Sequence, residues 1–158
     1  MLDIIDNFLD KNIFYKLNNE FLNNNFSWYF QNGKVFENDG TFQFTHLFYD
    51  ENKINSDRFD IIEPFLSLLN VKSLVKVKLN FTPKDAVLKK FEFHTDNNFN
   101  CNTAIFYLNS NNGKTIFENG EEVQSKENRI VIFSGNLKHT GTTHTDTKYR
   151  ALINFNYY

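Results

Sequence analysis

The triplet His94-Thr95-Asp96 sets an imidazole and a carboxylate two positions apart, and a second histidine, His139, follows 43 residues after Asp96. Alternate residues of a strand share a face, so His94 and Asp96 can grip one cation from a single strand end. Alone, such a triplet is weak, because any chain with four histidines and many aspartates can contain one by accident. His139 strengthens it. It comes after the apolar stretch RIVIF and the turn SGNLK, where a neighbouring strand would begin. Two imidazoles and one carboxylate on adjacent strands form a facial set that suits Fe(II) and leaves coordination positions open. Arg150 lies 11 residues beyond His139 in the apolar stretch YRALINFNYY. An arginine there is costly unless paired, and no carboxylate lies in that strand. Its planar fork is suited to a ligand carboxylate. His144, five residues later in the polar stretch TTHTDT, is a rival to His139.

The elements that must position these residues fall into two parts. Over 1–72 the pattern is mixed. Asp10 can cap a helix over 11–23 with Ile13, Phe14, Leu17, Phe21 and Leu22 on one stripe. Strand-like stretches follow at 26–30 and 42–49. A second helix is expected over 57–69, with Ser56 or Asp57 as cap, and with Pro64 marking a late start or a kink. From residue 73 the period becomes two. Eight short strands are expected, at 73–81, 90–94, 102–109, 114–118, 121–125, 129–134, 138–142 and 149–157, separated by turn sequences such as TPKD, NSNNG, ENG and SGN. The expected fold is mainly β with N-terminal helices: a jelly-roll core of eight strands flanked by helices.

A chain of 158 residues is expected to form a single domain (1–158), residues 1–72 supporting a core at 73–158. One cysteine, Cys101, excludes a disulfide framework and a Cys-rich zinc site. No apolar run approaches the roughly 18 residues of a membrane span. The acidic start MLDIIDNFLD lacks a signal peptide's basic region, so a cytoplasmic protein is expected. The composition is rich in Asn (25), Phe (19) and Lys (14) and poor in Arg (3), as a low-GC genome, viral or cellular, would encode. Each arginine therefore asks for a reason. Residues 1–69 are acidic (five basic, eleven acidic) and 70–158 are basic (twelve and eight). The lysines at 72, 76, 78, 84, 89 and 90 read first as a solvated face and second as a positive surround for a small anion. With a net charge of −2 and so few arginines, nucleic acid is not the expected partner.

Taken together, His94-Thr95-Asp96, CNTAIFYLN (101–109), NGKTIF (112–117), RIVIF (129–133), KHTG (138–141) and RALINFNY (150–157) resemble the double-stranded β-helix core of the Fe(II)/2-oxoglutarate-dependent dioxygenases, in the prolyl-4-hydroxylase-like branch. The likeness covers about the last 85 residues, and residues before it match only in kind. Asn112-Gly113 stands where two glycines are common in that family. The resemblance implies Fe(II) held by His94, Asp96 and His139, with O2 as oxidant and ascorbate as a candidate reductant. It implies 2-oxoglutarate as cosubstrate, its distal carboxylate paired with Arg150 and helped by the Tyr107 hydroxyl. Asn154, on the face of Arg150, and Asn80, near the end of the first core strand, would line the cosubstrate pocket.

The activity so implied is hydroxylation of a peptidyl, proline-like, or small-molecule C–H bond, with release of succinate and CO2. Retention of Asp96 fits hydroxylation, since related halogenases carry a small residue there. The competing expectation is a non-catalytic jelly-roll module that binds a ligand or partner. A cupin-type enzyme fits less well, because it would leave Arg150 unexplained. His46 is expected to be structural or near substrate, and Cys101 to pack as a small hydrophobe. The short loops offer no dedicated substrate-binding element, so the substrate is not legible.

Overall fold

The computed structural model describes residues 2–35, 37 and 39–158. Eleven strands and two α-helices run in the order β1 (Asp3–Asp6), α1 (Lys11–Phe21), β2 (Tyr29–Asn32), β3 (Phe42–Asp50), β4 (Lys53–Ile54), a 3-10 turn (Phe59–Ile62), α2 (Glu63–Leu68), β5 (Leu74–Pro83), β6 (Asn102–Tyr107), β7 (Lys114–Phe117), β8 (Glu122–Gln124), β9 (Arg129–Ser134), β10 (His139–Gly141) and β11 (Tyr149–Tyr157). They build two facing antiparallel sheets. The larger has the order β1-β9-β6-β11-β5-β3-β2, with β4 beside β3, and the smaller has the order β10-β7-β8. This is a double-stranded β-helix with the helices packed outside the larger sheet.

The period-two pattern of the long strands decides what faces what. On β11, Ala151, Ile153, Phe155 and Tyr157 point to the helices, and on β5 Val77 and Leu79 do the same. They pack with Phe14, Leu17 and Phe21 of α1 and with Ile62 and Phe65 in the main core. The other face looks into the space between the sheets. One part of that space is closed by Ile105, Tyr107, Phe117, Val123, Val131, Phe133 and Leu152. The remainder is polar, because β11 presents Arg150, Asn154 and Asn156 there. Opposite them in register on β5 stand Thr82, Lys78 and Lys76.

Several boundaries differ from the sequence expectation for identifiable reasons. Asp10 caps α1 as expected, its carboxylate accepting from the Asn12 and Ile13 amides at 2.9 and 3.4 Å. The buried stripe is narrower, with Ile13 and Leu22 left exposed. The expected helix over 57–69 begins as the 3-10 turn and becomes α-helical only at Glu63, with Pro64 in its first turn, where proline's missing N–H costs nothing. Neither Ser56 nor Asp57 caps it; the cap position is Arg58, and the Ser56 hydroxyl instead accepts from the Arg58 amide at 2.9 Å. The strand expected at 26–30 lies at 29–32. That expected at 90–94 is reduced to two isolated bridges, Lys90 to Thr142 and His94 to His139. β1 was not anticipated: its four residues are all exposed and carry no alternation to read. Because β2, β3 and β4 extend the same sheet as β5, the region before residue 73 is continuous with the larger sheet. No described helix is long and apolar enough to cross a membrane.

Candidate active site

His94 and His139 are brought together by backbone pairing. Each amide donates to the other residue's carbonyl, at 3.0 and 2.9 Å, so the two side chains leave the smaller sheet side by side, with ring centroids 4.9 Å apart. In each ring Nδ1 faces a backbone carbonyl, Glu92 for His94 and Leu137 for His139, both at 3.4 Å. That turns both Nε2 atoms inward, as a metal site requires. Asp96 comes off the irregular segment after His94 and reaches across to the larger sheet. Its Oδ1 lies 3.7 Å from His94 Nε2 and 3.8 Å from His139 Nε2. Its Oδ2 accepts from Asn154 Nδ2 at 2.9 Å and Asn156 Nδ2 at 3.0 Å. The three ligand atoms all lie within 4.8 Å of one another, and this is the one such cluster of His, Cys, Asp and Glu among the described residues.

The electrostatics suit a cation. Burial pushes the His139 imidazole below its ordinary pKa, against the pull of Asp96 and with a push from His94, so its Nε2 lone pair is available at neutral pH. For Asp96, burial pushes the other way, but His139, the two asparagine amides and His94 together hold its carboxyl below the ordinary value. Two imidazoles and one carboxylate converging on a point are the donor set that fits Fe(II).

The same cavity, about 120 Å³, extends from the triad to Arg150 and is lined between them by Asn80, Ile105, Thr115, Leu152 and Asn154. Arg150 is 6% exposed. Its Nε donates to Ser125 Oγ at 2.8 Å and one terminal nitrogen to Thr115 Oγ1 at 3.5 Å, while no described carboxylate pairs with it. Burial pushes its pKa down, yet a guanidinium stays protonated in proteins. An unpaired buried charge costs on the order of several kcal/mol. A ligand carboxylate in the cavity would offset that cost, so the chain's own residues fit a dicarboxylate reaching from metal to arginine.

The remaining predicted residues are placed as follows. Asn80 lines the cavity, with its Oδ1 buried and unpartnered. Asn154 also lines it, but its amide nitrogen is committed to Asp96 and its Oδ1 is unpartnered. Tyr107 is fully buried beneath Arg150, whose guanidinium carbon lies 5.8 Å from the ring centroid. The Tyr107 hydroxyl donates to Thr115 Oγ1 at 2.8 Å, so Tyr107 reaches the cavity only through Thr115. His46 belongs to the helix-side core, its ring nitrogens 2.7 Å from the Ser27 carbonyl and 2.7 Å from Ser56 Oγ. His144 is fully buried outside the triad. Thr115, Ser125 and Asn156 were missed. Asn156 was within reach of the period-two argument, standing two positions after Asn154. Thr115 and Ser125 carry no sequence signal apart from the fold.

Across solved structures the same fold recurs. An oxidoreductase of the 2OG-Fe(II) oxygenase family from Burkholderia pseudomallei superposes with a TM-score of 0.73 at 9% identity, covering 99% of this chain and 84% of that one. A prolyl-4-hydroxylase from Pseudomonas putida gives 0.70 at 14% identity, covering 99% and 91%. A prolyl hydroxylase from Trichoplax adhaerens, solved with a peptide fragment of the hypoxia inducible factor oxygen degradation domain, gives 0.70 at 17%, covering 99% and 83%. The chain has the fold of the 2-oxoglutarate/Fe(II) oxygenases. No family model and no curated protein sequence matches it.

Proposed function

We propose that the chain is an Fe(II)- and 2-oxoglutarate-dependent oxygenase that hydroxylates a C–H bond, working as one domain. The observation that carries this reading is the buried Arg150 guanidinium, which has no carboxylate partner among the described residues and faces the same cavity as His94, Asp96 and His139. A plain jelly-roll module would have no use for a buried unpaired charge beside a converging His-Asp-His set. When bound, iron with 2-oxoglutarate and O2 supplies the oxidation of an unactivated C–H bond, with succinate and CO2 released.

The chain's residues do the rest. His94, Asp96 and His139 would hold the metal. Arg150 and Thr115 fix the far carboxylate of the cosubstrate and so set its orientation. Thr115 Oγ1 already accepts from Tyr107 and Arg150, so its own hydroxyl proton is left to point at that carboxylate. Ile105 and Leu152 form an apolar wall between the two ends and keep water from the reacting groups.

The test is succinate formation from 2-oxoglutarate by pure protein with Fe(II), O2 and ascorbate, screened with peptides, amino acids and nucleotides. Turnover that is lost in Asp96→Ala and His139→Ala supports the reading. Iron-loaded protein that neither binds nor consumes 2-oxoglutarate would sink it.

A further inference from the structure

Beyond the triad the cavity opens into a second lobe of about 260 Å³ over β5 and β2. Gln31, Lys34, Lys76, Lys78, Asn154 and Asn156 line it, with His94 and Asp96 at its rim. Asp96 is the one carboxylate in that lining, and both its oxygens are committed, to the imidazoles and to the two asparagine amides. The three ammonium groups are not equivalent. Lys76 is paired with Asp50 at 2.7 Å. Lys34 sits over the Phe91 ring at 4.6 Å, a contact that leaves its N–H donors unpaired by any described carboxylate. Lys78 is half-buried, and no hydrogen bond or ion pair holds it among the described residues. Burial pushes its ammonium below the ordinary lysine value, as does Lys76, against the pull of Asp96 and Asp50.

Lys34 and Lys78 also line the first cavity, but Lys78 stands on the sheet well away from Arg150. Their strand positions, Arg150 opposite Thr82 and Asn154 opposite Lys78, are four residues apart along the sheet. That is about 13 Å at the usual rise of a strand. A second, independent sign of a ligand lies between them. Asn154, like Lys34 and Lys78, lines both lobes, and because its nitrogen donates to Asp96, its buried Oδ1 is fixed as an acceptor with nothing to accept from among the described residues. The lobe thus offers unpaired cations and an unfilled acceptor beside His94 and Asp96.

Resting on the oxygenase reading above, we propose that Lys78 and Lys34 receive an anionic group of the substrate, a carboxylate or a phosphate, while Asn154 Oδ1 accepts from a neighbouring N–H. The substrate class is an acidic amino-acid unit, free or within a peptide, and not an uncharged side chain.

The test is calorimetric titration of Mn(II)-loaded protein, saturated with 2-oxoglutarate without O2. The titrants are L-aspartate, L-glutamate, O-phospho-L-serine, L-asparagine, L-glutamine and a matched pair of acidic and amidated hexapeptides. Acids are expected to bind at least tenfold more tightly than their amides. Comparison of phosphoserine with the carboxylates identifies the anion, and comparison of peptide with free amino acid identifies the carrier. Lys78→Gln should erase the preference, Lys78→Arg should keep part of it, and Lys34→Gln should reduce it; Lys34→Gln serves if Lys78→Gln fails to fold. Equal binding of acids and amides, no binding by any titrant, or a preference that survives both glutamine variants overturns the proposal. So does a tenfold loss of 2-oxoglutarate affinity in Lys78→Gln, which would assign Lys78 to the cosubstrate. A protein that prefers acids but does not bind 2-oxoglutarate keeps the anion site and loses the oxygenase. One that binds 2-oxoglutarate without preference does the reverse.

Discussion

Gly113 lies so close to Arg150 that a Cβ added to it would stand 2.8 Å from Arg150 Cδ and 3.0 Å from Nε. The glycine is therefore a condition for the arginine's position. Its backbone amide is held by Asn111 Oδ1 at 2.9 Å, so the segment cannot easily retreat. Gly113→Ala should displace the guanidinium stem and weaken 2-oxoglutarate binding by about tenfold, roughly 1.4 kcal/mol. Calorimetry on the metal-loaded protein checks the affinity, and a far-ultraviolet spectrum checks that the sheets persist.

Asp96 is aimed by two amides, not one. Asn156 Nδ2 is also within 3.1 Å of Thr103 Oγ1, which fixes its own rotamer. Groups that orient a metal ligand typically matter by about 10–100-fold in affinity. Asn154→Ala and Asn156→Ala should each weaken Fe(II) or Co(II) binding, and the double variant should weaken it further. Co(II) titration followed by visible absorption reads this without any turnover. Unchanged affinity in the double variant would show that the backbone alone places Asp96.

Tyr107 acts at one remove. Tyr107→Phe removes the donor to Thr115 Oγ1 inside the closed core and leaves the ring beneath Arg150 intact. The freed Thr115 oxygen should then swing, and 2-oxoglutarate affinity should fall severalfold. Stability should fall by about 1 kcal/mol, the usual worth of such a bond. Chemical denaturation and cosubstrate titration together separate the two effects. A stability loss with unchanged affinity would confine Tyr107 to packing.

Stability should respond to pH through Asp6. Arg129 and Lys126 hold its carboxyl far below the ordinary value, Arg129 by a two-point contact at 2.6 and 3.1 Å and Lys126 at 2.8 Å. A depressed carboxylate contributes stability above its unfolded pKa of about 3.9 and loses it as pH falls toward the folded value. The cluster is part-exposed and joins β1 to β9, so its worth is about 1 kcal/mol or less. Asp6→Asn should destabilise the protein at pH 7, and the gap to the parent should shrink as pH drops below about 4. Urea denaturation at several pH values measures the gap, and high salt should narrow it too.

Where a strand alternates strictly, its two faces could be read from residue types. LVKVKLNFT and RALINFNYY show apolar and polar positions in turn, and both strands appear within a residue or two of expectation. The same periodicity put Asn154 beside Arg150, and carried two residues further it reaches Asn156. Legibility failed where a segment's conformation is set by its neighbour. Residues 90–94 are held to the smaller sheet by bridges at Lys90 and His94 only, and β1 owes its place to β9. Lys78 was read first as one of a solvated lysine run. Its partner in register, Asn154, and the enclosing strand β3 take it out of bulk water, and no local pattern reports that.

The alternation of β5 has a consequence for how such a protein can change over generations. Val77 and Leu79 are fully buried in the main core, whereas Lys78 and Asn80 line the cavity from the same strand. Replacements at Lys78 and Asn80 change the cavity lining while leaving the packed side untouched. A lineage can therefore remodel the cavity through single codon changes there without first acquiring a surplus of stability. The positions on the helix side, by contrast, are constrained together.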